Sequence, residues 1–169
     1  MSRLPRRSTS VPEPLRSWST MLLVAAAERA TEYANAELAP LGLSWRDWRI
    51  LALVDTLAPI SQVVLAERVG IDRTTASRAV KDLRQRSLVV AMAGRRDLRK
   101  RELYLTADGA AVLREAQVGL ARAEEYMFAR LGIVNWRRFH DHLGRLAPRL
   151  PEPAVAALPV AFPRERPAA

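Results

Sequence analysis

The chain contains no cysteine, which removes disulfides, thiol redox switching, thiolate metal sites and cysteine nucleophiles together. Histidine is almost as scarce. His140 and His142 are the only two, and side chains two residues apart on a helix point about 200° from each other, so they do not form a chelating pair. Metal sensing is therefore not expected. Seven glycines are present, but none belongs to a Gly-rich phosphate loop or a nucleophile elbow. With no catalytic constellation, neither an enzyme nor a cofactor-dependent protein is expected. Long apolar runs are missing too. Met21 to Ala27 is seven residues long and is followed directly by Glu28 and Arg29, whereas a membrane span needs roughly 18. Arg6-Arg7 before that run and Ala34-Asn-Ala36 after it imitate a secretory leader only faintly. The expectation is a soluble, cytoplasmic protein with no membrane partner.

What the chain does have is size, apolar content and positive charge. Its 169 residues, 49% of them hydrophobic, suffice for one sizeable core. Lys and Arg number 27 against 18 Asp and Glu, a net charge of +9, and such a surplus points to a polyanionic partner. Its placement is more informative than its total. Between Asp72 and Arg101 ten basic residues face three acidic ones, so most of the excess lies in one stretch.

Residues 1–13 combine Pro5 and Pro12 with Ser, Thr and Arg, the composition of a disordered basic tail. A folded domain is expected over 14–147, and six prolines between Pro148 and Ala169 mark a Pro-rich tail over 148–169. Within the domain, Trp18, Met21, Leu22, Ala25, Ala26, Ala30, Tyr33 and Leu38 recur at helical spacing, giving a long amphipathic helix over about 15–39 that Pro40 and Gly42 end. Ser44 and Asp47 form a capping box for a second helix, with Trp48, Leu51, Ala52 and Val54 as its buried face. Pro59 interrupts the chain and Ser61 caps a third helix. A fifth helix runs from Thr106 to about Leu131, and Asn135 is the expected cap of a sixth. The apolar faces of the first, fifth and sixth helices exceed what one copy can cover, which makes a homodimer the expected state, with dimerisation helices at about 15–39 and 107–147.

The stretch from Ser61 to Thr106 organises the rest. Gly70 permits the left-handed backbone of a tight inter-helix turn, and Asp72 is placed to cap a fourth helix. On that helix Ala76, Ala79, Val80 and Leu83 share one face, while Arg73, Thr74, Ser77, Arg78 and Lys81 lie on or near the other. An ordinary solvated face would look similar. The crowding of short polar and cationic residues at the N-terminal end favours a reading face instead. Leu88 to Met92 and Glu102 to Leu105 are β-prone runs around a charged connection containing Gly94, a hairpin whose tip belongs in solvent or against phosphates.

In this order the pattern resembles the MarR family of bacterial winged-helix transcription regulators, over about Leu15 to Leu146. Asp97-x-Arg99, then Leu105-Thr106 with Gly109 just beyond, is similar to the family's wing motif running into its fifth helix. Leu65 to Arg78 is similar to its helix-turn-helix, and Trp48-Arg-Ile-Leu51 to its second helix. Ser87 departs from the pattern, since relatives often carry Gly before the Leu-Val that begins the wing. The fold implied is mainly α with a small β-hairpin wing: a winged helix-turn-helix over about 44–106, about six helices, and a dimer formed by the N- and C-terminal helices.

The resemblance implies a homodimeric repressor that binds a pseudo-palindromic operator in double-stranded DNA. A helix in the major groove reads base edges with its N-terminal side chains, which makes Arg73, Thr74, Thr75, Ser77 and Arg78 contact candidates and Lys81 a phosphate contact. The resemblance further implies that Arg99 reaches a minor groove, where negative potential attracts Arg, with Asp97 orienting it or neighbouring backbone. A surface ion pair is the plainer account of Asp97 and Arg99. Arg95 and Arg96 are candidate sequence-independent phosphate contacts. Many relatives release DNA on binding a small molecule, and by resemblance Trp45, Trp48 and Arg49 could line the pocket of a small aromatic or phenolic effector, although each also reads as plain core or surface. Competing readings are a ligand-independent constitutive or architectural DNA-binding protein, and a winged helix used for protein contacts.

Overall fold

The computed structural model describes residues 18–94 and 101–146 together with Leu15. The expected tails over 1–13 and 148–169 lie outside these residues. The described chain forms α1 (Ser19–Leu38), a 3-10 turn (Ala39–Leu41), α2 (Trp45–Leu57), β1 (Ile60–Ser61), α3 (Gln62–Val69), α4 (Arg73–Gln85), β2 (Val89–Ala93), β3 (Arg101–Leu105), α5 (Ala107–Phe128), a second 3-10 turn (Ala129–Leu131) and α6 (Gly132–Leu146). This is the winged helix-turn-helix expected from the sequence.

Local chemistry accounts for most of the helix boundaries. The Asp47 N–H donates to the Ser44 hydroxyl while the Ser44 N–H donates to the Asp47 carboxylate at 3.0 Å, a reciprocal capping box at the start of α2. The Ser61 hydroxyl accepts from the Val64 N–H at the head of α3, and Gly70, at φ +75°, turns the chain out of it. The sixth helix departs from expectation. It starts at Gly132 rather than at an Asn135 cap, because Gly132, at φ +69°, makes the turn that redirects the chain.

The sheet has a third strand beyond the expected hairpin. Its order is β1-β3-β2, antiparallel throughout, with Ile60 opposite Leu103 and Met92 opposite Glu102. Two residues carry no readable alternation, so β1 is visible only through its partner. Leu38, Ile50, Leu51, Val54, Leu65, Leu83 and Leu103 are fully buried at the centre of the core, where α2, α3, α4 and the sheet meet the end of α1. Ile50 takes a place in the buried face of α2 that the sequence reading had assigned to Trp48 and Ala52, both of which are half-buried.

At the join between the wing and α5 two backbone segments come into close contact. Ser87 occupies the left-handed region at φ +58°. The Thr106 hydroxyl donates to the Ser87 carbonyl at 2.6 Å and accepts from the Gly109 N–H at 2.9 Å, while the Thr106 N–H donates to the Leu88 carbonyl at 3.2 Å. Gly109 lies so close to that strand that a Cβ there would sit 2.0 Å from the Leu88 carbonyl oxygen. Farther along, α5 crosses α1 where Gly119 faces Glu37, and Arg122 donates twice to the Glu37 carboxylate, at 3.2 and 2.9 Å.

These contacts set two opposite expectations for unfolding in urea. Gly109→Ala must displace backbone and should cost about 1–3 kcal/mol or more. Ser87→Gly relieves a left-handed side-chain clash and should add up to about 1 kcal/mol. A neutral Gly109→Ala or a destabilising Ser87→Gly would contradict the geometry of this join.

Candidate nucleic-acid interface

The helix-turn-helix presents α4 with its small residues inward. Ala76, Ala79, Val80 and Leu83 are buried, and Arg73, Thr74, Ser77, Arg78 and Lys81 are exposed. Alanine on the inner face lets the helix lie close to α2 and α3, which leaves the opposite side proud of the surface. Among the described residues, Arg73, Arg78 and Lys81 form no salt bridge. Their charge is directed to solvent with no acidic partner among the described residues.

The N-terminus of α4 is held by Asp72. Its carboxylate accepts from the Thr75 N–H at 2.9 Å and from the Thr75 hydroxyl at 2.5 Å. The Thr75 hydroxyl, then the backbone N–H groups, hold this carboxyl below the usual carboxylate range. Thr75 is thus half-buried and tied into the cap, while Arg73, Thr74, Ser77 and Arg78 share the open surface.

The wing root is formed by β2 and β3, paired from Val89 with Leu105 to Ala93 with Arg101. Arg101 is exposed at the described end of β3. Arg95, Arg96, Asp97 and Arg99 lie outside the described residues.

The three candidate pocket residues divide. Trp45 and Trp48 stack with ring centroids 4.7 Å apart and planes 15° apart. Both are half-buried, the Trp45 backbone N–H donates to the Asn35 side-chain oxygen at 2.7 Å, and the buried Trp48 indole nitrogen has no hydrogen-bond partner among the described residues. Arg49 turns the other way. Its guanidinium donates to the Val69 carbonyl at the end of α3, and burial lowers its pKa.

Two arginine roles were not legible in the sequence. Arg86, one of the ten basic residues of the central stretch, is exposed like the cations of α4 but has its guanidinium engaged. It donates to the Leu41 and Gly42 carbonyls, both at 2.9 Å. Arg122 binds Glu37 across 85 positions of sequence. Neither partner is near in the chain, so no spacing rule could have found them.

Away from this face, α1, α5 and α6 enclose an apolar groove of about 780 Å³, lined by residues including Leu23, Ala30, Tyr33, Tyr126, Phe139 and Leu143. Tyr126 in its lining is 68% exposed, and Trp18, just before α1, is 66% exposed, far more than large aromatic side chains ordinarily leave to water. Among the described residues no helix is long and apolar enough to cross a membrane, and no three His, Asp or Glu side chains are grouped to hold a metal ion.

The sequence profile of the MarR family matches residues 41–100, the segment from the end of the first 3-10 turn through β2 and up to the start of β3. No curated protein matches the chain by sequence. Among solved structures it is similar to the transcriptional repressor CouR bound to a 23-mer DNA duplex, at 26% identity and a TM-score of 0.75, covering 82% of this chain and 99% of that one. CouR from Rhodococcus jostii RHA1 bound to p-coumaroyl-CoA is similar at 23% identity and a TM-score of 0.70, with coverage of 80% and 96%. The Mycobacterium tuberculosis MarR family protein Rv2887, in complex with p-aminosalicylic acid, is similar at 22% identity and a TM-score of 0.67, with coverage of 76% and 98%.

The Asp72 cap has a testable pH signature. Because its carboxyl is depressed in the folded state, the charged cap stabilises the start of α4 above the ordinary carboxylate value, and that contribution is lost as pH falls through the lower folded value. The Thr75 amide resonance should therefore titrate below the range of a free aspartate, and should stop titrating in Asp72→Asn. A titration at the ordinary aspartate value would contradict the assigned hydrogen bonds.

Proposed function

The chain belongs to the MarR family of transcriptional regulators, and from that premise we propose that it is a cytoplasmic, homodimeric repressor binding a pseudo-palindromic operator in double-stranded DNA. The observation that carries this reading is the outer face of α4, where Arg73, Arg78 and Lys81 stand exposed and uncompensated beside Thr74 and Ser77. In the major groove the N-terminal side chains of this helix address base edges, and an Arg gripping guanine through two hydrogen bonds discriminates by roughly 1–3 kcal/mol. Lys81, one turn farther on, serves a phosphate.

Arg99 enters the adjacent minor groove, oriented by Asp97, and Arg95 and Arg96 neutralise phosphates. The exposed apolar residues of α1, α5 and α6 take the second copy. Burial of Trp18, Tyr126 and their neighbours supplies the association energy. The two recognition helices of such a dimer reach successive major grooves, about 34 Å apart.

A small aromatic or phenolic ligand releases the repressor from DNA. Supporting this are the relatives that hold p-coumaroyl-CoA and p-aminosalicylic acid, together with the stacked Trp45–Trp48 pair and its unpartnered indole N–H. Arg49, occupied by Val69, positions the helix-turn-helix rather than the ligand. Such a ligand acts by binding the DNA-incompetent spacing more tightly than the competent one.

Footprinting on a selected operator tests the proposal. Protection should cover two half-sites with centres about one helical turn apart, and affinity should fall steeply with salt. A protected single half-site bound by a monomer would overturn it. Arg99→Ala should weaken operator binding on the order of tenfold or more and leave the dimer intact in sedimentation. Unchanged affinity would remove the wing from the reading surface.

A further inference from the structure

Arg86 is the C-cap residue of α4, and its side chain leaves the DNA-facing surface. Its two terminal nitrogens donate to the Leu41 and Gly42 carbonyls, 45 and 44 positions away in sequence. Those carbonyls end the 3-10 turn that continues α1, where Gly42 closes the turn at φ +64°. Helix ends of this kind carry unsatisfied carbonyls and partial negative charge, so a planar cation with two parallel donors fits them well. The recognition helix otherwise rests on α3, β2 and α2. Arg86 joins its far end to the turn that follows α1, the helix assigned to the dimer.

We propose that Arg86 is a positioning residue: by clamping the C-terminus of α4 to the turn after α1, it sets the angle between recognition helix and dimer helix, and so the half-site spacing the dimer accepts. This rests on the operator-binding reading above. Leverage makes the angle matter. A helix of 13 residues is about 20 Å long at 1.5 Å per residue. A tilt of roughly 10° about its C-terminus moves its N-terminal reading end by about 3 Å, close to the ~3.4 Å rise of one base pair. In a two-fold dimer both ends move. The clamp also differs from a DNA contact in its location, since it lies at the end of α4 opposite Arg73 and Thr74.

The test uses the full-length protein and duplexes carrying two half-sites at the preferred spacing, at one base pair more and at one base pair less. Wild type should discriminate strongly among the three. Arg86→Ala should lose affinity for the preferred spacing and compress the discrimination ratio at least threefold, with single-half-site affinity and salt slope unchanged. Arg86→Lys, which retains the charge and can donate to one carbonyl, should recover part of the ratio. Because the chain has no cysteine, Asp82→Cys on the exposed side of α4 takes one spin label per subunit. The inter-label distance in the DNA-free dimer should be narrow with Arg86 present and broader or shifted in Arg86→Ala, with thermal denaturation confirming that both are folded. An unchanged ratio and an unchanged distance distribution would overturn the proposal. So would a uniform loss at all spacings with a salt slope smaller by about 0.9, the mark of a lost phosphate contact. If wild type itself shows no preference for paired half-sites, the operator reading fails instead.

Discussion

Everything on either side of the wing depends on the contact between the Leu88 carbonyl and Gly109. There the strand leaving the helix-turn-helix and the first turn of α5 approach until a single Cβ would leave only 2.0 Å between them. Thr106 closes the join from three directions, through its N–H, its hydroxyl proton and its hydroxyl lone pair. The helix-turn-helix and the long helix α5 are therefore joined by backbone in direct contact. With the Arg86 bonds from the end of α4 to the turn after α1, this contact ties the helix-turn-helix to both long helices.

Arginine performs four different tasks here, and charge alone does not separate them. Arg73 and Arg78 face solvent from α4 with no acidic partner among the described residues. Arg49 fixes α2 to the end of α3 through the Val69 carbonyl, and Arg122 fixes α5 to α1 through Glu37. Arg86 joins α4 to the end of α1. A rigid fork with several donors suits such carbonyl and carboxylate clamps better than a flexible ammonium does.

Legibility followed the range of the interaction. The boundaries of α2, α3, α4 and α5 were readable because Ser44, Ser61, Asp72 and Thr106 each bond to an N–H three residues on. The small inward residues of α4 were readable from helical periodicity for the same reason. Strand β1 was not, since its two residues acquire their conformation by pairing with β3. The start of α6 was misassigned to Asn135 because a side-chain cap was expected where a glycine turn does the redirecting. In the candidate interface the exposed cations of α4 were legible. The engagement of Arg86 and Arg49 with other elements was not, because their partners are backbone carbonyls that carry no sequence signature.

By itself the sequence determined that this is a helix-turn-helix followed by a basic wing and flanked by helices too apolar for one copy. Those features arise from caps, glycine conformations and periodicities acting within a few residues. Only the tertiary structure decided which cations face outward and which serve as clamps, why Gly109 admits no side chain, and that a third strand supports the wing. Each of these turns on the distance between groups far apart in the chain, and that distance exists only once the core around Leu38, Ile50 and Leu103 has closed.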